Sequence, residues 1–305
     1  MGRNGLHAKG LLRTNLSGPD IAPAPAGGRP KRVESEPVDG HCGGTQRWAA
    51  HGPVAMTDAV LLSTVILLGI APITGSFLGV LALRIPAGRT VLIDRSACDA
   101  CGHVLGLLDL MPVVNWMVSR GRCRYCGERV SPFYPLIELA ALAVVLWAWT
   151  VASGPELWAG SILGWLLMVL ALINTRHFTV PNELVVALFS VGFAVAAITG
   201  PGAMVDSLAG AGIGFGCGLA MPAADARLDR KSALGSGEAR LLAAAGAWVG
   251  WQGFPDVAVV ALLAALAVAA VHARTRSSAD RRLPVGACVC LATWLAWLYG
   301  PLILG

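Results

Sequence analysis

Four cysteines stand as two hooks, Cys98-x2-Cys101 and Cys123-x2-Cys126, and one acid, Glu238, closes the stretch "LGSGE" directly ahead of an apolar run. Each pattern carries its own chemistry. The hooks supply four soft thiolates at a spacing that suits tetrahedral zinc, and each is followed by a glycine, Gly102 or Gly127, that permits the tight turn of a zinc knuckle. A pair of disulfides is the competing reading, and a reducing cytoplasm disfavours it. In the second pattern Gly235 and Gly237 let backbone approach a substrate strand closely, and Glu238 falls at a helix N-terminus, where the helix dipole favours negative charge. Taken alone, Glu238 reads more readily as a helix cap.

The elements that position these residues follow from composition. Hydrophobic residues make up 55% of the 305 positions and charged residues 13%, far from the balance of a water-soluble domain. Crossing a bilayer as a helix takes about 20 mostly apolar residues. Eight stretches qualify or nearly so: 58–85, 135–152, 157–173, 182–199, 204–224, 239–251, 256–272 and 286–304. None alternates with period two, so a barrel is not expected. The expected fold is all-α, a polytopic membrane bundle of about eight helices with a zinc-knuckle-like loop of four cysteines.

All 23 Lys and Arg lie in the N-terminal tail, between 84 and 129, at Arg176, between 227 and 240, or between 274 and 282. The connections "SGPE", "GPG" and "WQGFP" have none. The positive-inside rule then puts the connections after the first, third, fifth and seventh helices in the cytoplasm, and both chain ends outside. The basic tail breaks the pattern. It is rich in Gly, Pro and Arg and has no apolar signal region, so Met56 is expected as the true start, with Met1 the alternative. The expected division is 1–55 as an extension, 56–134 as first helix plus cysteine loop, and 135–305 as the transmembrane domain. Membrane lipid is the expected surrounding, and no nucleic-acid partner is expected.

Smaller features complete the reading. Gly210, Gly214 and Gly218, four apart, form a small-residue face for close helix packing. Cys217, Cys288 and Cys290 are expected as small buried hydrophobes, whereas Cys42 falls in the tail. Trp116, Trp158, Trp248, Trp251, Trp294 and Trp297 are expected in belts near helix ends. Asp225 and Asp229 lie where either could swing toward Glu238, Asp206 sits at the outer end of the fifth helix, and Arg227, Arg230 and Lys231 serve topology and headgroup contact.

The blocks "ITGSFLGVLALRIP", "CDACGHVLGLLDLMPVVNWMVSRGRCRYCGERVSPFYPLIELAAL", "INTRHFTVPNEL", "GSGEARLLAAAGAWVGW" and "RRLPVGACVCLATWLAWLYG", in this order, resemble those of bacterial prepilin peptidases, the type IV leader peptidases. The resemblance runs from about 58 to 300. It implies a GxGD-type aspartic endopeptidase of the bacterial plasma membrane, which hydrolyses the basic leader from type IV prepilin or pseudopilin-like precursors in pilin processing and secretion. The cysteine loop and the site would both lie on the cytoplasmic side. It further implies that members with the cysteine loop act as methyltransferases on the new amino terminus, using S-adenosylmethionine.

In that family two aspartates share a proton: the charged one takes a proton from water while the neutral one polarises the scissile carbonyl. One begins an "ID" pair seven residues before a proline, and the other ends GxGD. The matching positions here are Asn174, after Ile173 and in register with Pro181, and Glu238, ending Gly235-Ser236-Gly237-Glu238. The resemblance gives Arg240 the place of a lysine two residues after the acid, and Asp109, before Pro112, a place in the methylation or substrate region. Three readings follow: a leader peptidase using Glu238, an impaired relative that binds pilin-like precursors or only methylates, and an unrelated membrane scaffold or transporter.

Overall fold

The computed structural model describes residues 58–89, 98, 100–104, 112–227, 236–274, 283–301 and 303. The tail with Met56 and Cys42, and Asp109, Asp229, Arg230, Lys231 and Gly235, lie outside the described residues. Apolar runs bounded by Pro and Gly give α1 (Asp58–Arg84), a short α2 (Pro112–Val118), α3 (Phe133–Trp149), α4 (Gly154–His177), α5 (Asn182–Thr199), α6 (Pro201–Arg227), α7 (Ser236–Arg274) and α8 (Val285–Tyr299). Among the described residues there is no strand, only one isolated bridge between Arg122 and Arg129.

Five of these helices are long and apolar enough to cross a bilayer, and α3 and α8 are shorter apolar helices. The 39 residues of α7 would extend about 58 Å as one rod, nearly twice the ~30 Å hydrocarbon core. Gly250 resolves the excess. Its φ of 71° and ψ of −178° are non-helical and open to glycine, and they break α7 in two. Counting both halves, the order of eight apolar segments matches the expectation. Two details differ. "WQGFP" is not a connecting loop but part of the second half of α7, because the non-helical backbone is confined to Gly250; and α8 stops at Tyr299 rather than running to 304, since Gly300, at φ 80°, and Pro301 end it.

Helix α4 packs against α1, α3, α5 and α8, while α7 packs against α5, α6 and α8. The glycine face of α6 sets the second group. At Gly210 an added Cβ would strike the backbone of Gly246 and Gly250, at Gly214 that of Leu242, and at Gly218 that of Ala239. Gly212 and Gly216, on the other side of the helix, would meet nothing within 4 Å. The expected small-residue contact is thus present, and its partner is α7.

Three tryptophans depart from the expected belts. Trp248, Trp294 and Trp297 are buried in the core, where Gly192, Gly164 and Gly160 leave room for their rings. Burying so large an apolar ring outweighs an interfacial place once a facing glycine opens a slot. The indole N–H of Trp248 donates to the Leu188 carbonyl at 2.8 Å, so no donor is stranded there. Cys288 and Cys290 are buried as expected, but Cys217, next to Gly218 on α6, is exposed.

Candidate functional site

The two cysteine hooks fold alike. In each, the glycine after the second cysteine returns its N–H to the carbonyl of the first: Gly102 to Cys98 at 2.8 Å, and Gly127 to Cys123 at 2.9 Å. The first cysteine's own N–H reaches five residues on, to His103 at 3.0 Å and to Glu128 at 2.7 Å. Gly102 and Gly127 adopt φ of 70° and 74°, the left-handed conformation that glycine accepts without strain. The hooks therefore bring all four Sγ atoms within 4.8 Å of one another, with Cys98 and Cys126 at 3.9 Å.

Zn–S bonds of about 2.3 Å hold thiolates about 3.8 Å apart in a tetrahedron, so the four cysteines could hold a metal such as zinc with little movement. Backbone N–H groups of Cys101 and Ala100 draw the Cys98 thiol down to about 7. At Cys126 the Glu128 N–H acts in the same direction, but desolvation and the neighbouring thiols push it up to about 12. Crowded thiols that cannot all ionise unaided are what a divalent cation relieves. The purified chain is expected to hold about one zinc per molecule by elemental analysis, and Cys123→Ser to lose most of it. A zinc content unchanged by Cys123→Ser would rule out this site.

Asn174 and Glu238 sit at the same end of the bundle. Asn174 is 2% exposed, one turn before the end of α4. Its Oδ1 accepts the N–H of Ala287 at the start of α8, at 3.0 Å. Gly286 makes this approach possible, since a Cβ there would lie 2.8 Å from Asn174 Cγ. The chain leaves α4 through Phe178 in a left-handed conformation (φ 54°), uncommon for a non-glycine residue, with its N–H on the Asn174 carbonyl at 2.9 Å. The strained turn carries the chain to Val180, which closes on Gly237 so tightly that a Cβ there would lie 3.1 Å from Val180 Cβ. The next residue is Glu238, 8% exposed in the first turn of α7. Two small residues, Gly237 and Gly286, thus let the starts of α7 and α8 close on the end of α4 and the turn that follows it.

Other residues named from sequence are less central. Arg240 is exposed on the following turn of α7, and the backbone of Asp225 lies in the last turns of α6. Asp206 is at the far end of α6, where its Oδ1 accepts the indole N–H of Trp251 at 3.2 Å.

Sequence reasoning missed Glu138. It lies inside α3, 1% exposed, with Oε2 accepting the Val113 N–H at the start of α2 at 2.9 Å and Oε1 without a hydrogen-bond partner. Gly75 of α1 packs against its backbone. A charged residue within an apolar helix was the available signal. Glu138 ties the segment bearing the cysteines to the bundle, and Arg176, at the end of α4, lies 4.6 Å over the Phe133 ring at the start of α3. The cysteine module therefore shares the bundle end that holds Asn174. Glu138→Leu removes the acceptor for the Val113 N–H and is expected to cost about 1–3 kcal/mol in thermal or denaturant unfolding, whereas Glu138→Gln keeps an acceptor oxygen and most of that stability.

Comparison with known proteins adds a family. A model described as Bacterial Peptidase A24 N-terminal domain matches residues 69–152, and one described as Type IV leader peptidase family matches residues 161–271. The Prepilin leader peptidase/N-methyltransferase of Myxococcus xanthus is 35% identical over 182 residues, covering 58% of this chain and 53% of that protein. This chain thus spans about half the length of that relative. The protein of the same name from Aeromonas hydrophila is 32% identical over 212 residues, 69% of this chain and 73% of its own, and that of Pseudomonas putida is 27% identical over 271 residues, 81% and 93%. No solved structure matches the chain.

Proposed function

From the premise that this chain belongs to the prepilin leader peptidase/N-methyltransferase family, we propose that it cleaves the basic leader of type IV prepilin-like precursors with Glu238 as its one ionisable catalytic group. The observation that carries this is the convergence of the Asn174 turn and Gly237-Glu238 at one buried end of a multi-pass membrane bundle. By resemblance, Asn174 and Glu238 take the positions of the two family aspartates.

The chemistry follows from the side chains. Asn174 Oδ1 is held by the Ala287 N–H, which leaves the amide NH2 as a donor. An amide donor can polarise the scissile carbonyl, the task of a protonated aspartic acid, but it cannot titrate. Glu238 therefore does the proton work alone. It takes a proton from the attacking water as the C–O bond forms, then delivers it to the leaving amine nitrogen as the C–N bond breaks. Gly237 lets Val180 close in, which seats the acid beside the Asn174 turn.

The site faces the cytoplasm in this reading, because basic residues accumulate at its end of the bundle, including Arg84, Arg120, Arg122, Arg124, Arg129 and Arg176. The four cysteines would hold a structural zinc, which would order the cysteine module. N-methylation of the new amino terminus, with S-adenosylmethionine as co-substrate, rests on the relatives' names and on the resemblance.

The test is to co-express the full chain with a pilin-like precursor and follow leader removal and terminal mass by mass spectrometry. The chain is expected to cleave, and Glu238→Gln to lose about 10²-fold or more of the rate. Cleavage unaffected by Glu238→Gln would remove Glu238 from the mechanism.

A further inference from the structure

At the end of the bundle away from Asn174 a cavity of about 550 Å³ opens between the start of α4, the end of α5, the start of α6 and the Gly250 break in α7. Glu156 and Asn174 are 18 positions apart on α4, about 27 Å along the axis, so this cavity is separate from the catalytic site.

Its walls have a consistent character. The floor is apolar, with Gly192, Val195, Ala196 and Ala247, and it reaches about 10 Å, or two helical turns, inward from the end of α5. Glu156 and Asp206 are the charged residues of the lining, and both are acids. Trp251 forms part of the wall, its indole N–H donated to Asp206 Oδ1 at 3.2 Å, which fixes the carboxylate and the ring against each other. A carboxylate with one accepted bond retains lone pairs for a second donor. Helix ends of both polarities border the cavity, so the two carboxylates decide the sign of what enters. The break at Gly250 has a reason here as well: non-helical backbone at membrane depth is tolerated where it lines a cavity.

We propose that this cavity binds an alkylammonium group, with Asp206 and Glu156 as counter-charges, Trp251 as a cation–π wall and the apolar floor for the carbon chain. A volume near 550 Å³ with an apolar body and a few convergent polar groups is that of a small-molecule site. An aromatic ring beside carboxylates favours an organic cation over a hydrated metal ion. The site's depth, from the helix ends inward, matches an amphiphile whose charged head stays at the membrane surface. The ammonium could come from an aminophospholipid or from a free amine.

The test uses the full chain purified in mild detergent and titrated with phosphatidylethanolamine, phosphatidylglycerol, N-acetyl-phosphatidylethanolamine and hexylamine, read by native mass spectrometry and thermal shift. Phosphatidylethanolamine is expected to bind at least tenfold more tightly than phosphatidylglycerol or its own N-acetylated form. Glu156→Gln combined with Asp206→Asn is expected to erase that preference. Binding of hexylamine as well assigns the ammonium group by itself, and binding of phosphatidylethanolamine without hexylamine assigns the lipid. Equal affinity for the N-acetylated lipid on the unaltered chain overturns the proposal even if the double variant does not fold, and so does a preference that survives the double substitution.

Discussion

Asn174→Asp combined with Glu238→Asp is expected to raise the rate of precursor cleavage by about 10²–10⁴, the contribution of one acid–base partner. The geometry supports both halves of the change. Asn174 Oδ1 accepts the Ala287 N–H at 3.0 Å, and an Asp carboxylate of the same shape can accept that bond too, so the end of α4 and the start of α8 stay joined. What changes is titration. Two carboxylates at one site share a proton, one neutral to polarise the carbonyl and one charged to take a proton from water. Asn174 supplies the donor but no proton reservoir, and Glu238 reaches one methylene further than Asp. The rate of leader removal is measured on the single and double variants in membranes. Under the proposed mechanism Asn174→Asp alone recovers part of the gain. A double variant no faster than the unaltered chain would show that these two positions are not the site of hydrolysis.

Gly214→Ala is expected to destabilise the protein by about 3 kcal/mol, the upper end of the cost of overpacking, because the added methyl would collide with the backbone of Leu242 and Ala243. Backbone cannot rotate aside as a side chain can. Gly212→Ala, two residues away on the same helix, meets nothing within 4 Å and is expected to gain up to about 1 kcal/mol from helix propensity. The opposite signs make the pair decisive when both unfolding curves are compared. Because Gly218 seats Ala239, the neighbour of Glu238, separation of α6 from α7 also displaces the acid, so Gly214→Ala is expected to slow cleavage as it loosens the fold. Equal effects of the two substitutions would mean that α6 meets α7 by another face.

The cysteine hooks, the helix order and the small-residue face of α6 were all legible in the chain because they are local or periodic. A CxxCG hook fixes its own turn, an apolar run of sufficient length reports a membrane helix, and glycines four apart mark one face whatever they meet. The resemblance likewise placed Asn174 and Glu238 by register with Pro181 and with Gly235 and Gly237. Only the tertiary structure decided what depends on partners distant in sequence. It assigned Trp248, Trp294 and Trp297 to the core, because each faces a glycine on another helix; it made Glu138 the anchor of α2; and it reduced a presumed loop to the single residue Gly250, whose break opens the cavity beside Asp206. Burial and hydrogen-bond pairing are properties of two surfaces brought together, and one segment of sequence describes only one of them.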